Sequence, residues 1–86
     1  MLQSVSFGLV ADVDAGLLPR VLVPFARRDL AVDQLKARRF GDTMQITVML
    51  DAAPAEMVPL IEGNLRQIIG MRRVEVLLHG HVRAVA

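Results

Sequence analysis

The chain has 86 residues, ten Lys and Arg against nine Asp and Glu, no Cys, Trp or Tyr, and an apolar fraction of 53% in which only three residues, all Phe, are aromatic. That length predicts one small domain over residues 1–86. The lack of cysteine excludes disulfides and thiolate metal sites, and a formal charge of +1 gives no electrostatic reason for a nucleic acid or an anionic membrane as partner. The aliphatic surplus exceeds what one small core buries, which predicts a homodimer.

Arg20, Pro24, Glu62 and Arg66 interrupt the apolar runs well before the roughly 18 residues a membrane span needs, so no transmembrane helix is expected. The opening MLQSVSFGLVADVDAG has no basic leader and alternates as a strand would, so no signal peptide is expected and a cytoplasmic location is.

From Gln3 to Ala11, the apolar Val5, Phe7 and Leu9 alternate with Ser4, Ser6 and Gly8, the period-two pattern of a strand with one buried face. Asp12-Val13-Asp14-Ala15-Gly16 then reads as a turn into a helix. Asp14 is expected as N-cap, Gly16 as a residue of unusual backbone path, and the helix start at Ala15 to Leu17, because Pro19 is tolerated only in a first turn. Leu17, Leu18, Val21, Leu22 and Phe25 recur at helical spacing, with Arg20, Arg27 and Arg28 towards solvent. Pro24 conflicts with that helix, since an interior proline costs about 3 kcal/mol and either kinks the helix or is absorbed by packing, the simpler outcome.

Leu30 to Phe40 mixes Val32, Leu35, Ala37 and Phe40 with charges, which predicts a partly exposed strand near a sheet edge. Gly41-Asp42 marks a turn, and Thr43 to Leu50 alternates cleanly, so the two strands form a hairpin. Asp51 to Pro54 is expected to open a second helix, with Pro54 near its first position, Met57, Leu60, Ile61, Leu65 and Ile68 as the apolar stripe, Glu62 and Arg66 as an ion pair, Pro59 as a local conflict and Gly70 as the C-terminal glycine. Arg73 to His79 alternates again as a fourth strand, and the residues after it, within 79–86, form a short tail or a strand extension.

The order β-α-β-β-α-β predicts an α+β ferredoxin-like sandwich, a four-stranded antiparallel sheet with both helices on one face. Val5, Phe7, Leu9, Met44, Ile46, Val48, Val74, Val76 and Leu78 would be covered by the helices. Ser4, Ser6, Gly8, Gln45, Thr47, Met49, Glu75 and Leu77 would lie on the other face.

That second face lacks the aromatic platform RNA-binding domains of this shape use. His79 and His81 share a strand face, but two ligands make a weak metal site and a surface pair is the simpler reading. Neither Ser4 nor Ser6 pairs with a histidine at any readable spacing, and Asp12 and Asp14 oppose the anion-binding loop a phosphate hydrolase would need after strand one. The pairs Arg27-Arg28, Arg38-Arg39 and Arg72-Arg73 are interleaved with acids and read as solvated faces.

The run DAGLLPRVLVPFARRDLAVDQL and the later IIGMRRVEVL resemble an ACT domain, and among ACT proteins the short regulatory subunit of acetolactate synthase. The resemblance implies a non-catalytic subunit in branched-chain amino acid biosynthesis that activates a catalytic partner. Thiamine diphosphate, flavin and magnesium would belong to that partner, and no cofactor to this chain.

The resemblance also implies a homodimer formed through the sheets and a small amino acid bound between subunits. On this sequence the binding turn would be Val13, Asp14, Ala15, Gly16 and Leu17, faced by Ala31 and Val32 at the start of a neighbour's second strand. Valine-sensitive subunits place Asn where this chain has Val13 and Ala31, so two side-chain ligands are replaced here by apolar groups. A free-standing ACT-type sensor homodimer stays open as the alternative.

Overall fold

Strand β1 (Leu2–Asp12) occupies the middle of the sheet, and the other elements are arranged around it. The computed structural model describes residues 1–81, and side chains through His79. After β1 come helix α1 (Leu17–Ala26), strands β2 (Gln34–Phe40) and β3 (Thr43–Pro54), a 3-10 turn (Ala55–Met57), helix α2 (Val58–Arg66) and strand β4 (Met71–His81). The sheet order is β2-β3-β1-β4 with every neighbouring pair antiparallel, which is the ferredoxin-like sandwich. Among the described residues no helix is long and apolar enough to cross a membrane.

The alternation along β1 drives the layering. Val5, Phe7, Leu9 and Ala11 are buried with Ile46, Val48, Leu50 and Ala53 of β3 and Val74 of β4, and against them pack Leu17, Val21 and Phe25 of α1 and Val58, Ile61 and Leu65 of α2. Phe7 and Phe25 meet edge to face at 5.4 Å, joining sheet to helix at the centre of the core. The opposite face carries the residues expected there, in register: Ser6 opposite Met49 and Leu77, and Gly8 opposite Thr47 and Glu75.

Several boundaries differ from the expectation. Residues 51–54 do not begin a helix; β3 runs on to Pro54 because β1 is long enough to pair with it as far as Leu2. A one-residue bulge, in which Gln3 to Val5 spans Leu50 to Ala53, brings Ala53 inward and keeps that extension buried. The helix therefore starts at Val58, and Pro59 rather than Pro54 takes the first-turn position, which removes the conflict expected there.

Leu60 faces solvent, and Leu78 is 51% exposed rather than covered by a helix. Gly70 is not the glycine that closes α2, which is capped by Gln67. It takes a left-handed φ of 89° in the turn into β4. β2 begins at Gln34, later than expected, and every one of its residues is exposed at the sheet edge. Residues 79–81 extend β4, the second of the two alternatives for the end of the chain, while residues 82–86 lie outside the described residues.

Pro24 is buried inside α1, which continues past it to Ala26, so packing absorbs the lost hydrogen bond. Arg28, expected in solvent, is half-buried: its Nη1 donates to the Pro24 carbonyl at 2.8 Å and its Nη2 to Asn64 Oδ1 at 2.9 Å. This clamp ties the end of α1 to α2. Arg28→Ala is expected to lower stability by about 1–3 kcal/mol, since it removes two charge-assisted hydrogen bonds from a half-buried site, as read by urea denaturation.

Candidate functional site

The β1–α1 turn is built from backbone more than from side chains. Gly16 occupies the N-cap of α1 with φ −85° and ψ 0°, an ordinary conformation, so no special backbone path is needed there. The Leu17 N–H donates to the Asp14 carbonyl at 3.1 Å and the Arg20 N–H to the Gly16 carbonyl at 3.3 Å. Asp14 does not cap the helix. The capping position is one residue pair later, and the third helical residue, Pro19, has no N–H to offer. Instead Arg20 Nη1 donates to Asp14 Oδ2 at 2.6 Å, and the Arg20 guanidinium lies 3.2 Å from where a Cβ on Gly16 would stand. The glycine makes room for the arginine.

Asp12 anchors the other side of the turn. Its N–H donates to the Gly70 carbonyl at 2.9 Å, and its carboxylate accepts from Arg72 Nε at 2.6 Å, with Arg72 Nη2 at 2.5 Å. A bulge between Val10 and Ala11, which leaves Arg72 as the extra residue of β4, points that arginine here, where it also lies 3.9 Å from Asp42. The Val13 N–H completes the knot by donating to the Asp42 carbonyl at 3.0 Å. The turn is thus held to the β2–β3 hairpin and to the α2–β4 turn, and Asp12 and Asp14 each face an arginine. The sequence pattern showed those carboxylates but not the cations, which come from six residues away in one case and sixty in the other.

The expected site residues divide by position. Val13 and Gly16 are half-buried, Asp14 and Ala15 are exposed, and Leu17 is 2% exposed within the core. Ala31 and Val32 lie in the irregular connection before β2 rather than at the strand's start. They also sit at the far end of the molecule. Asp12 pairs with Thr43, whereas Asp33 bonds to the Met49 carbonyl, six residues along β3 and about 20 Å away. Within one copy the two halves of the site do not meet.

One pairing was not legible in the linear order. Ser6 Oγ and His79 Nε2 are 2.8 Å apart, although 73 residues separate them, because the β1–β4 ladder puts both on the open face of the sheet. A hydroxyl on an imidazole is half of a nucleophile–base arrangement, but no described acid hydrogen-bonds the ring, and β1 is laddered on both sides, its N–H groups committed to neighbours rather than to an oxyanion. No group of three metal-ligating side chains occurs among the described residues, and the side chain of His81 lies outside them. Phe40, with Arg38 5.1 Å from its ring centroid, is exposed on the open face of the edge strand.

Comparison with solved structures fixes the fold. The ACT domain of GTP pyrophosphokinase from Chlorobium tepidum superposes with a TM-score of 0.76 at 13% identity, over 90% of this chain and all of that domain. The chain has the fold of an ACT domain. The uncharacterized protein TM1266 from Thermotoga maritima matches this ACT fold equally well, with a TM-score of 0.76 at 13% identity over 93% of this chain and all of that one. The C-terminal domain of the MgtC protein from Mycobacterium tuberculosis follows, with a TM-score of 0.72 at 13% identity over 98% and 95% of the two chains. No family model matches the sequence, and no curated protein does.

Asp14→Ala is expected to change unfolding free energy by less than about 1 kcal/mol, the range of a half-exposed ion pair. Gly70→Ala is expected to cost about 1–2 kcal/mol for the left-handed backbone alone. Chemical denaturation of the two variants side by side checks both. Ser6→Ala is expected to leave any esterase signal at background, and covalent labelling of Ser6 by a fluorophosphonate would contradict the reading that the pair lacks catalytic support.

Proposed function

We propose that this ACT-fold chain is a non-catalytic regulatory domain that works as a homodimer and binds a small amino acid where two copies meet. One observation carries the proposal: the two halves of the candidate site, residues 13–16 and 31–32, stand about 20 Å apart in one copy, so a second copy is needed to bring them together. The ion pairs to Arg20 and Arg72 support it, because they offset the carboxylates that would otherwise repel an amino acid's own carboxylate. Val13 and Ala31 would give such a pocket apolar walls, which favours an aliphatic amino acid over a polar one.

The sequence resemblance makes the catalytic subunit of acetolactate synthase the first partner to test. In that assembly the chain would raise the activity of a subunit that carries the thiamine diphosphate, flavin and magnesium. Tagged catalytic subunit is expected to retain this chain through purification and to gain activity from it. Neither retention nor a rate change would remove the partner from the proposal. Calorimetry of the isolated chain against the twenty amino acids tests the sensing half separately: heat with valine, leucine or isoleucine is expected, and binding without any catalytic partner would leave a free-standing sensor.

A further inference from the structure

The geometry points to a second site, on the open face of the sheet, for the phosphate group of a small phosphomonoester. Its frame is set by strand register. Lys36 stands opposite Thr47 and Arg38 opposite Gln45, so four side chains with donors occupy the corners of one rectangle on the open face. The two cations are two residues apart on the same face of β2, about 7 Å along the strand, within which both flexible side chains can converge on a single anion. A depression of about 360 Å³ lies among these residues, lined by Lys36, Ala37, Arg38, Gln45 and Thr47 with no carboxylate in its wall.

The charge of that rectangle is uncompensated. Among the described residues Lys36 and Arg38 make no ion pair, Arg38 lying only over the Phe40 ring, whereas Arg73 across the sheet is matched by Glu75 at 2.5 Å. Two cations with an amide and a hydroxyl fit a dianion with three terminal oxygens better than a single carboxylate, which would leave one cation unmatched.

Space for the rest of the ligand lies next to the rectangle. Gln45 and Thr47 also border a second depression of about 170 Å³ over Gly8, which ends at Arg73 and Glu75. Gly8 creates that dip by lacking a side chain in the same row as Lys36, Thr47 and Glu75. The site uses none of the residues of the β1–α1 turn and needs no second copy.

The test uses the full chain, with amide and side-chain NMR shifts read during titration with inorganic phosphate, glycerol 3-phosphate and, as a carboxylate of equal charge, succinate. Both phosphates are expected to shift Lys36, Arg38, Gln45 and Thr47 saturably and more tightly than succinate. Lys36→Ala and Arg38→Ala are each expected to weaken binding about tenfold, the loss of one charge-assisted contact. These side chains are exposed, so both variants should keep the wild-type spectrum elsewhere. A Cβ added at Gly8 meets only Glu75 Cβ, at 4.0 Å, and the depression above it would take the two further methyl groups of Gly8→Val; that variant is expected to weaken glycerol 3-phosphate while sparing inorganic phosphate. Absence of saturable shifts, succinate binding as tightly as the phosphates, wild-type affinity in either alanine variant, or equal affinity of Gly8→Val for glycerol 3-phosphate would each overturn the site as described.

Discussion

The fold depends on β1 being hydrogen-bonded along both edges while only one of its faces is buried. Val5, Phe7, Leu9 and Ala11 are 2% exposed or less, and each sits opposite a residue of β3 or β4 whose side chain points the same way. Fully burying one such aliphatic or aromatic side chain is worth about 1.5–3 kcal/mol, so slipping β1 by a single residue would forfeit several of these at once and send Ser4, Ser6 and Gly8 inward. That penalty holds the register, and the register in turn places Ser6 with His79 and Lys36 and Arg38 with Thr47 and Gln45 on the open face.

Departures from regular pairing do particular jobs. The bulge near Val10 turns Arg72 towards Asp12 and Asp42, and the bulge at Ser4 lets β3 continue inward to Ala53 before the chain turns into α2. Prolines mark where the helices are set. Pro59 starts α2 without loss because a first-turn N–H has no helical partner, while Pro24 is kept in α1 by burial, with its own carbonyl taken by Arg28. The same arginine reaches Asn64, so the two helices are fixed to each other by a polar contact over an apolar layer.

The two edges of the sheet are unlike. On β4, Arg66 bonds to the Val74 carbonyl at 3.0 Å while also paired with Glu62, which covers part of that edge. On β2, Lys36, Arg38 and Arg39 are exposed, and cations on an edge strand discourage indiscriminate strand addition. Of these, Lys36 and Arg38 lie on the open face, where they frame the proposed phosphate site. The β1–α1 turn, with its carboxylates matched by arginines, has a different electrostatic character and a different place, at the end of the sheet.

Much of this protein was determined by sequence alone. Period-two runs through Val5, Phe7 and Leu9 and through Ile46, Val48 and Leu50, separated by helical stripes, prescribe the β-α-β-β-α-β order, because a strand or helix must turn its apolar face to one core. Local pattern also placed the edge strand and the contents of both sheet faces. Tertiary structure alone decided the rest. The end of β3 depended on the length of a partner strand, the fate of Asp14 on an arginine stacked over Gly16, and the position of Leu78 on how far the helices extend. Ser6 and His79, Arg72 and Asp12, and the row from Lys36 through Thr47 and Gly8 to Glu75 are brought together by ladders linking distant segments. Periodicity says which way a side chain points. Only pairing across the sheet says what it meets.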